Sequence, residues 1–201
     1  MRPIHALAAA FALACAAMSP AYAQSGQSGA VIVVDGERIL SQSQAGRDMT
    51  QRLQAVAAQI QGELTPEQTA LTTEQQRLAN ATRNQTQEQI RANSQLTTQI
   101  EAFNRRAETF RNRQVQSARD LEHTRNLAIQ EFNRQITPIL NEVMTSRGAV
   151  AILDTTVASR FLPSADATAD VISRLDQRVR TINVTRTAAP APPQPPAQQN
   201  R

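Results

Sequence analysis

LTTQIEAFNRRAETF, residues 96–110, carries Leu96, Ile100, Phe103, Ala107 and Phe110 at spacings of 4, 3, 4 and 3. That rhythm is the signature of a helix packed on another helix. A second seam follows in Leu121, Ala128, Phe132, Ile136, Ile139 and Val143. The surrounding residues are mostly Gln, Arg, Asn, Thr and Glu, so residues 44–146 read as long polar helix with a thin apolar stripe. A segment of this kind points to a scaffold or a binding arm rather than to a catalytic pocket.

Upstream, a helix starts near Ser43 and places Ala45, Met49, Leu53, Val56, Ile60 and Leu64 on one face. Thr65-Pro66-Glu67-Gln68 has the form of a helix start, which predicts a kink or restart there. Leu71 and Leu78 then give one strong anchor per heptad, and residues 80–87 carry none, so the chain is expected to turn back there. The return helix should end at Arg147-Gly148, a basic last turn followed by a helix-stopping glycine. A helical hairpin over 43–147 results.

Short strand-like pieces flank the hairpin. Val31-Ile32-Val33-Val34 ends at Asp35-Gly36, within a first body segment at 30–42. Ala149 to Leu153 is a second strand ending at Asp154, 157–162 a candidate third, and a final helix places Val171, Ile172, Leu175, Val179 and Ile182 on one face. These form the second body segment, 148–184, and the Pro/Gln-rich remainder, 185–201, is expected to be disordered. The fold class is α+β, mostly α: a long antiparallel hairpin inserted in a small β-rich body. A body of about 70 residues supplies only about 3–5 kcal/mol from its core. With open strand edges besides, it is expected to oligomerise. Val31, Val33, Val150, Ile152 and Leu175 are assigned to the body and oligomer core.

Residues 1–23 read as a signal peptide: Arg2, an apolar run to Met18, and cleavage after Ala21-Tyr22-Ala23. A membrane anchor is the alternative, but the run is short for a bilayer core of about 30 Å. Acylation at Cys15 would need a better lipobox than Ala12-Leu13-Ala14. Cleavage would leave a chain without cysteine, with His123 as its one histidine, in a compartment that permits disulfides.

All 21 basic residues are arginine, against 17 acids and a net charge of +4. Aromatic–basic interleaving of the kind that binds nucleic acid is missing, so no nucleic-acid partner is expected. His123 sits mid-helix among charges and reads as a surface residue. No His/Cys/carboxylate cluster has metal-ligand spacing and no glycine-rich loop follows a strand, so neither metal nor cofactor is expected. Asp35 and Asp154 read as turn or cap residues. One polar stretch stands out: Arg105, Arg106, Arg111, Arg113 and Arg119, with Phe103 and Phe110 interleaved and Glu108 the only acid. It is either a solvated helix face or a weak multivalent surface for unfolded, acidic or lipid-bearing ligands.

The order of parts resembles the Skp/OmpH family of periplasmic chaperones. The residues that carry the resemblance are Val31-Ile32-Val33-Val34-Asp35, Ala149-Val150-Ala151-Ile152-Leu153-Asp154 and Asp166-Ala167-Thr168-Ala169-Asp170-Val171. The last is similar to the family's Asp-Ile-Thr-x-x-Val, with Ala167 in place of the bulkier residue. The resemblance implies a non-enzymatic homotrimer whose arms enclose a cavity. There, unfolded outer-membrane β-barrel proteins are held without ATP, and lipopolysaccharide or the membrane surface is a further partner. It makes Arg105, Arg106, Arg111, Arg113, Phe103 and Phe110 the client-facing candidates. A coiled-coil adaptor of the cell envelope without client binding is the competing expectation.

Overall fold

The computed structural model describes residues 29–191. The expected leader, 1–23 with Cys15, and the last part of the expected tail, 192–201, lie outside the described residues. Two strands and five α-helices follow in order: β1 (Ala30–Val34), α1 (Gly36–Gln42), α2 (Gln44–Thr82), α3 (Gln87–Ala92), α4 (Ser94–Ser146), β2 (Ala149–Asp154) and α5 (Thr168–Arg178), with a 3-10 turn at Pro163–Ala165 before α5. The fold is mostly helical, with a long hairpin between two strands.

β1 and β2 pair in parallel, Ile32 against Ile152 and Val34 against Asp154, with an irregularity between Ala30 and Val31. Ile32 and Val34 face a core made by α1, α2, α4 and α5, where Ile39, Met49, Ile139, Val143, Val171 and Leu175 meet. Asp35 caps α1, its carboxylate accepting the Arg38 N–H at 2.8 Å. Asp154 accepts the Gly36 N–H across the sheet end at 3.1 Å. Ser43, fully buried, ends α1 and caps α2 through the Gly46 N–H at 3.1 Å. The α1–α2 corner is so tight that a Cβ on Gly46 would lie 1.9 Å from the Leu40 carbonyl oxygen. Gly148, at φ 61, closes α4 and turns the chain into β2.

The arm is formed by α2, 39 residues, and α4, 53 residues, about 58 and 80 Å long at 1.5 Å per residue. Close to the body the seam is continuous with the body core through Ala128, Phe132 and Ile136. Farther out Ile60, Leu64, Leu71 and Phe110 form a second buried cluster. The chain reverses after Thr82, and α3 begins with a complete capping box between Thr86 and Gln89.

The structure differs from the sequence reading at four places. The restart expected at Thr65-Pro66 does not occur: α2 runs unbroken through Pro66. Gly62, whose carbonyl the proline ring would crowd, is exposed, and the Thr65 hydroxyl donates to the Gln61 carbonyl at 2.7 Å. With Leu64 and Leu71 anchored on either side, the seam outweighs the lost hydrogen bond. No strand forms at 157–162; the chain there is irregular, and Val33 bridges Asp166 instead. The last helix stops at Arg178 rather than passing Ile182, and Val179 is already extended (φ −130, ψ 110). Finally, residues 185–191 are not loose but lie against the arm. The Thr187 N–H donates to the buried Thr124 hydroxyl at 3.0 Å and the Ala189 N–H to Asp120 at 2.9 Å.

Candidate functional site

A two-helix arm has two long furrows, one on each side of the α2–α4 seam. On one side the stretch next to the body is covered by residues 179–191, which run back from α5 as an extended strap that reaches Glu63 and Asp120. On the other it is open. Near the body the open side forms a cavity of about 320 Å³ between α1, α2 and α4, floored by Leu40, Met49, Leu53, Ala57, Leu121 and Ile129, with Arg125 at its rim. Toward the tip a second groove of about 360 Å³ is lined by Leu71, Phe103, Ala107 and Phe110. Gln68, Gln75, Asn104 and Arg111 border it. An apolar floor with a polar and cationic rim suits amphipathic chains and offers no directional chemistry.

The residues singled out in the sequence do not form one patch. Phe110 is only 5% exposed and belongs to the seam, packed on Ile60, Leu64 and Leu71, so it offers the groove a floor and not a protruding ring. Its heptad spacing was the signal; its place in a buried cluster follows from the anchors on α2. Phe103 is half-buried on the groove wall. Arg106 crosses to Glu67 on α2 at 3.0 Å, and Arg113 stands exposed near Glu63 on the strap side. Arg111 borders the open groove. Arg105, exposed, lies 3.8 Å from Glu101 on its own helix. At 3.6 residues per turn these four arginines spread around α4.

In the body, Val33 and Leu175 are buried and Ile152 packs partly on the core. Val31 and Val150 are not in the chain's own core: they are 44% and 64% exposed. The pleat puts Val31 on the face opposite Ile32 and Val34. Val33, on the same face as Val31, is covered where it bridges Asp166. Val150 is the extra residue where the register shifts, opposite no β1 residue. Leu153, Val157, Phe161 and Leu162 are exposed as well. β2 has β1 on one side, and among the described residues no strand pairs with its other edge.

The strap was missed by the sequence reading. Its signal is a period-two alternation: Ile182, Val184 and Arg186 turn inward while Thr181, Asn183 and Thr185 face out. A stripe of small polar residues on α4, Ser117, Asp120 and Thr124, is buried beneath it. Arg186 grips Glu63 through two contacts, 2.8 and 3.0 Å, and holds that carboxyl below its usual range, helped by Gln59. Asp48 is held low chiefly by Arg52, and also accepts the Ile182 N–H at 3.0 Å.

No group of His, Cys, Asp and Glu able to hold a metal occurs among the described residues. Among the same residues no helix is long and apolar enough to cross a membrane.

Comparison with known proteins agrees with this architecture. The family model described as outer membrane protein (OmpH-like) matches residues 30–175. A comparison with curated proteins gives no match. Among solved structures, the chain is similar to a candidate outer membrane chaperone (OmpH-like) from Caulobacter crescentus CB15, solved by crystallography at 2.83 Å. The TM-score is 0.66 and the identity 22%, over 78% of this chain and 89% of that one. With the family match spanning both strands, the whole arm and most of α5, the chain belongs to the OmpH-like family of outer membrane proteins.

Proposed function

We propose that this protein is an ATP-independent periplasmic holdase that keeps unfolded outer-membrane β-barrel proteins from aggregating. The observation that carries the reading is a pair of apolar-floored depressions on the arm, one beside the body and one farther out. They offer many weak contacts to a chain and no deep pocket to fix one residue. A client held in this way stays mobile, and avidity supplies the affinity. Family membership and the chaperone description of the Caulobacter protein support the same direction. Arg111 and Phe103 border the groove and are the client-facing side chains there, with Phe110 in its floor. Arg105, Arg106 and Arg113 lie on other faces of α4 and would meet a client only outside the groove. The same arginines would meet lipopolysaccharide or an anionic membrane surface.

A homotrimer joined through the bodies fits the unpaired β2 edge and the outward Val31, Val150, Leu153 and Leu162, which an assembly would cover. Three arms would then surround a client.

The test uses the missing chromophore: the chain contains no tryptophan. A tryptophan-bearing β-barrel protein, unfolded in urea, is diluted into buffer with and without this protein and without ATP. Light scattering and client tryptophan emission are followed together. Suppressed scattering at about one trimer per client, with emission typical of a mobile chain, is expected. Unchanged scattering over a large excess would refute the holdase and leave a coiled-coil adaptor of the envelope.

A further inference from the structure

The strap poses a physical problem that its surroundings solve. A helix uses its own backbone groups internally, so an extended segment lying along two helices finds no backbone partners in them. Its amides must be met by side chains or by water. Here three side chains meet them: Asp48 accepts from Ile182, Thr124 from Thr187 and Asp120 from Ala189, at 3.0, 3.0 and 2.9 Å. Thr124 is 1% exposed, and its own hydroxyl hydrogen goes to the Asp120 carbonyl at 2.7 Å, which leaves its lone pair for the strap. Gln116 braces Asp120 at 2.7 Å and Arg52 braces Asp48 at 2.8 Å, so both carboxylates are held by side chains of the arm itself and not by the strap alone. Ile182 fills the apolar part of the furrow, 1% exposed, and Glu63 takes a cation four residues on. Three of these contacts read backbone and two read side chains of a common kind, one apolar and one cationic. A site with such requirements accepts many extended sequences.

We propose that the strapped furrow is a binding groove for extended polypeptide, occupied in cis by residues 179–191, and that the strap is an internal competitor for extended client segments. The second half rests on the holdase reading; the groove itself does not. Over the strapped stretch next to the body, the resting chain then offers clients only the open side of its arm. An unfolded client at high local concentration displaces the strap and gains the other side, including the acceptors on Asp48, Thr124 and Asp120.

The test compares the full-length wild-type chain with a full-length variant carrying Ile182→Asp and Arg186→Glu, which releases the strap. A fluorescent peptide of residues 179–191 reports binding by anisotropy, and an unfolded, labelled β-barrel protein reports client affinity. The peptide should bind the released variant and not the wild type. The unfolded client should displace it, and should bind the released variant several-fold more tightly than the wild type. A peptide that fails to bind a released variant whose arm is intact by amide exchange overturns the groove. A peptide that binds but is never displaced by a client that does bind overturns the competitor and leaves a structural staple. Should no form bind clients, the holdase reading falls while peptide binding still upholds the groove.

Because the released variant could unfold, a second pair keeps the outcome decisive. Thr124→Cys with Thr187→Cys puts thiols at two positions joined by the Thr187 N–H to Thr124 hydroxyl bond, so that oxidation locks the strap and reduction frees it in one molecule, with the Asp48 and Asp120 acceptors present in both states. Reduction should tighten client binding several-fold. Equal affinity in the two states overturns the competitor.

Discussion

The half of the arm next to the body and the half toward the tip share the same two helices but are held by different means. Near the body, Ala128, Phe132, Ile136, Ile139 and Val143 recur every three or four residues and merge with Met49, Leu175 and Ile182 in one core. Carboxylates and a hydroxyl add the strap to it. Beyond Phe110 the buried anchors thin to Leu71, Leu78 and Leu96, among exposed Gln, Thr and Asn. Anchor density is thus the difference between the halves that decides where the pair stays closed. Opening free energy should therefore fall along the arm, from global near the body to local at the tip.

That gradient can be tested at both ends. Ile139→Ala, at a position 1% exposed in the main core, should lower unfolding free energy by about 2–5 kcal/mol in urea titrations. A loss below about 1 kcal/mol would contradict a foundation at the body end. Gly46→Ala places a Cβ against the Leu40 carbonyl and should cost about 1–3 kcal/mol in the same titration, since the corner must shift. Leu78→Ala should scarcely move the global urea midpoint. It should instead speed amide exchange around α3 and the facing turns of α2 and α4, a local loss of at most about 2 kcal/mol. Uniform acceleration over the whole arm would show that the halves open together.

Acid gives a finer comparison, because the strap belongs to the firm half yet rests on titrating groups. Asp48 is held below its ordinary range by Arg52 and the Ile182 N–H, and Glu63 by Arg186 and Gln59. A carboxylate whose folded pKa is depressed contributes its full stability above the unfolded value and loses it as pH falls through the folded one. The strap should thus loosen below about pH 4 while the apolar seam stays closed. Amide exchange at Ile182 and Thr187 against Ile139 would show it. Equal protection at low pH would mean that Ile182 alone retains the strap. The smallest effect is expected from Arg106→Ala, an exposed partner of Glu67, at about 0–1 kcal/mol.

The helices and the hairpin were legible because Leu96, Ile100, Phe103, Ala107 and Phe110 mark a period that only one secondary structure satisfies. The strands were legible from a β-branched run closed by Asp35-Gly36. Tertiary placement was not. Phe110 looked available because a seam residue and a client-facing residue have the same spacing, and only the anchors on α2 separate them. Pro66 looked like a break because local preference favoured one, while Leu64 and Leu71 on both sides held the helix through it. The strap escaped because Ile182 also continues the three-to-four rhythm of α5, and its two-residue alternation with Val184 and Arg186 spans too few residues to compete. Its partners Ser117, Asp120 and Thr124 read as gaps in the seam until a second chain segment lay on them.

The parallel pairing of β1 with β2 has a consequence for how the molecule comes into being. Ala30 meets Ala149, so the two strands are neighbours in space and near opposite ends of the described chain. Bringing them together directly would close a very long loop, and such non-local contacts form slowly. The α2–α4 zipper shortens that search, because each turn that closes from the tip carries the strand ends closer. Arm first, body last is the order that follows. During synthesis β1 must wait, apolar and unpaired, until β2, which ends at Asp154 of 201 residues, has been made. A protein that guards waiting strands would itself pass through that state.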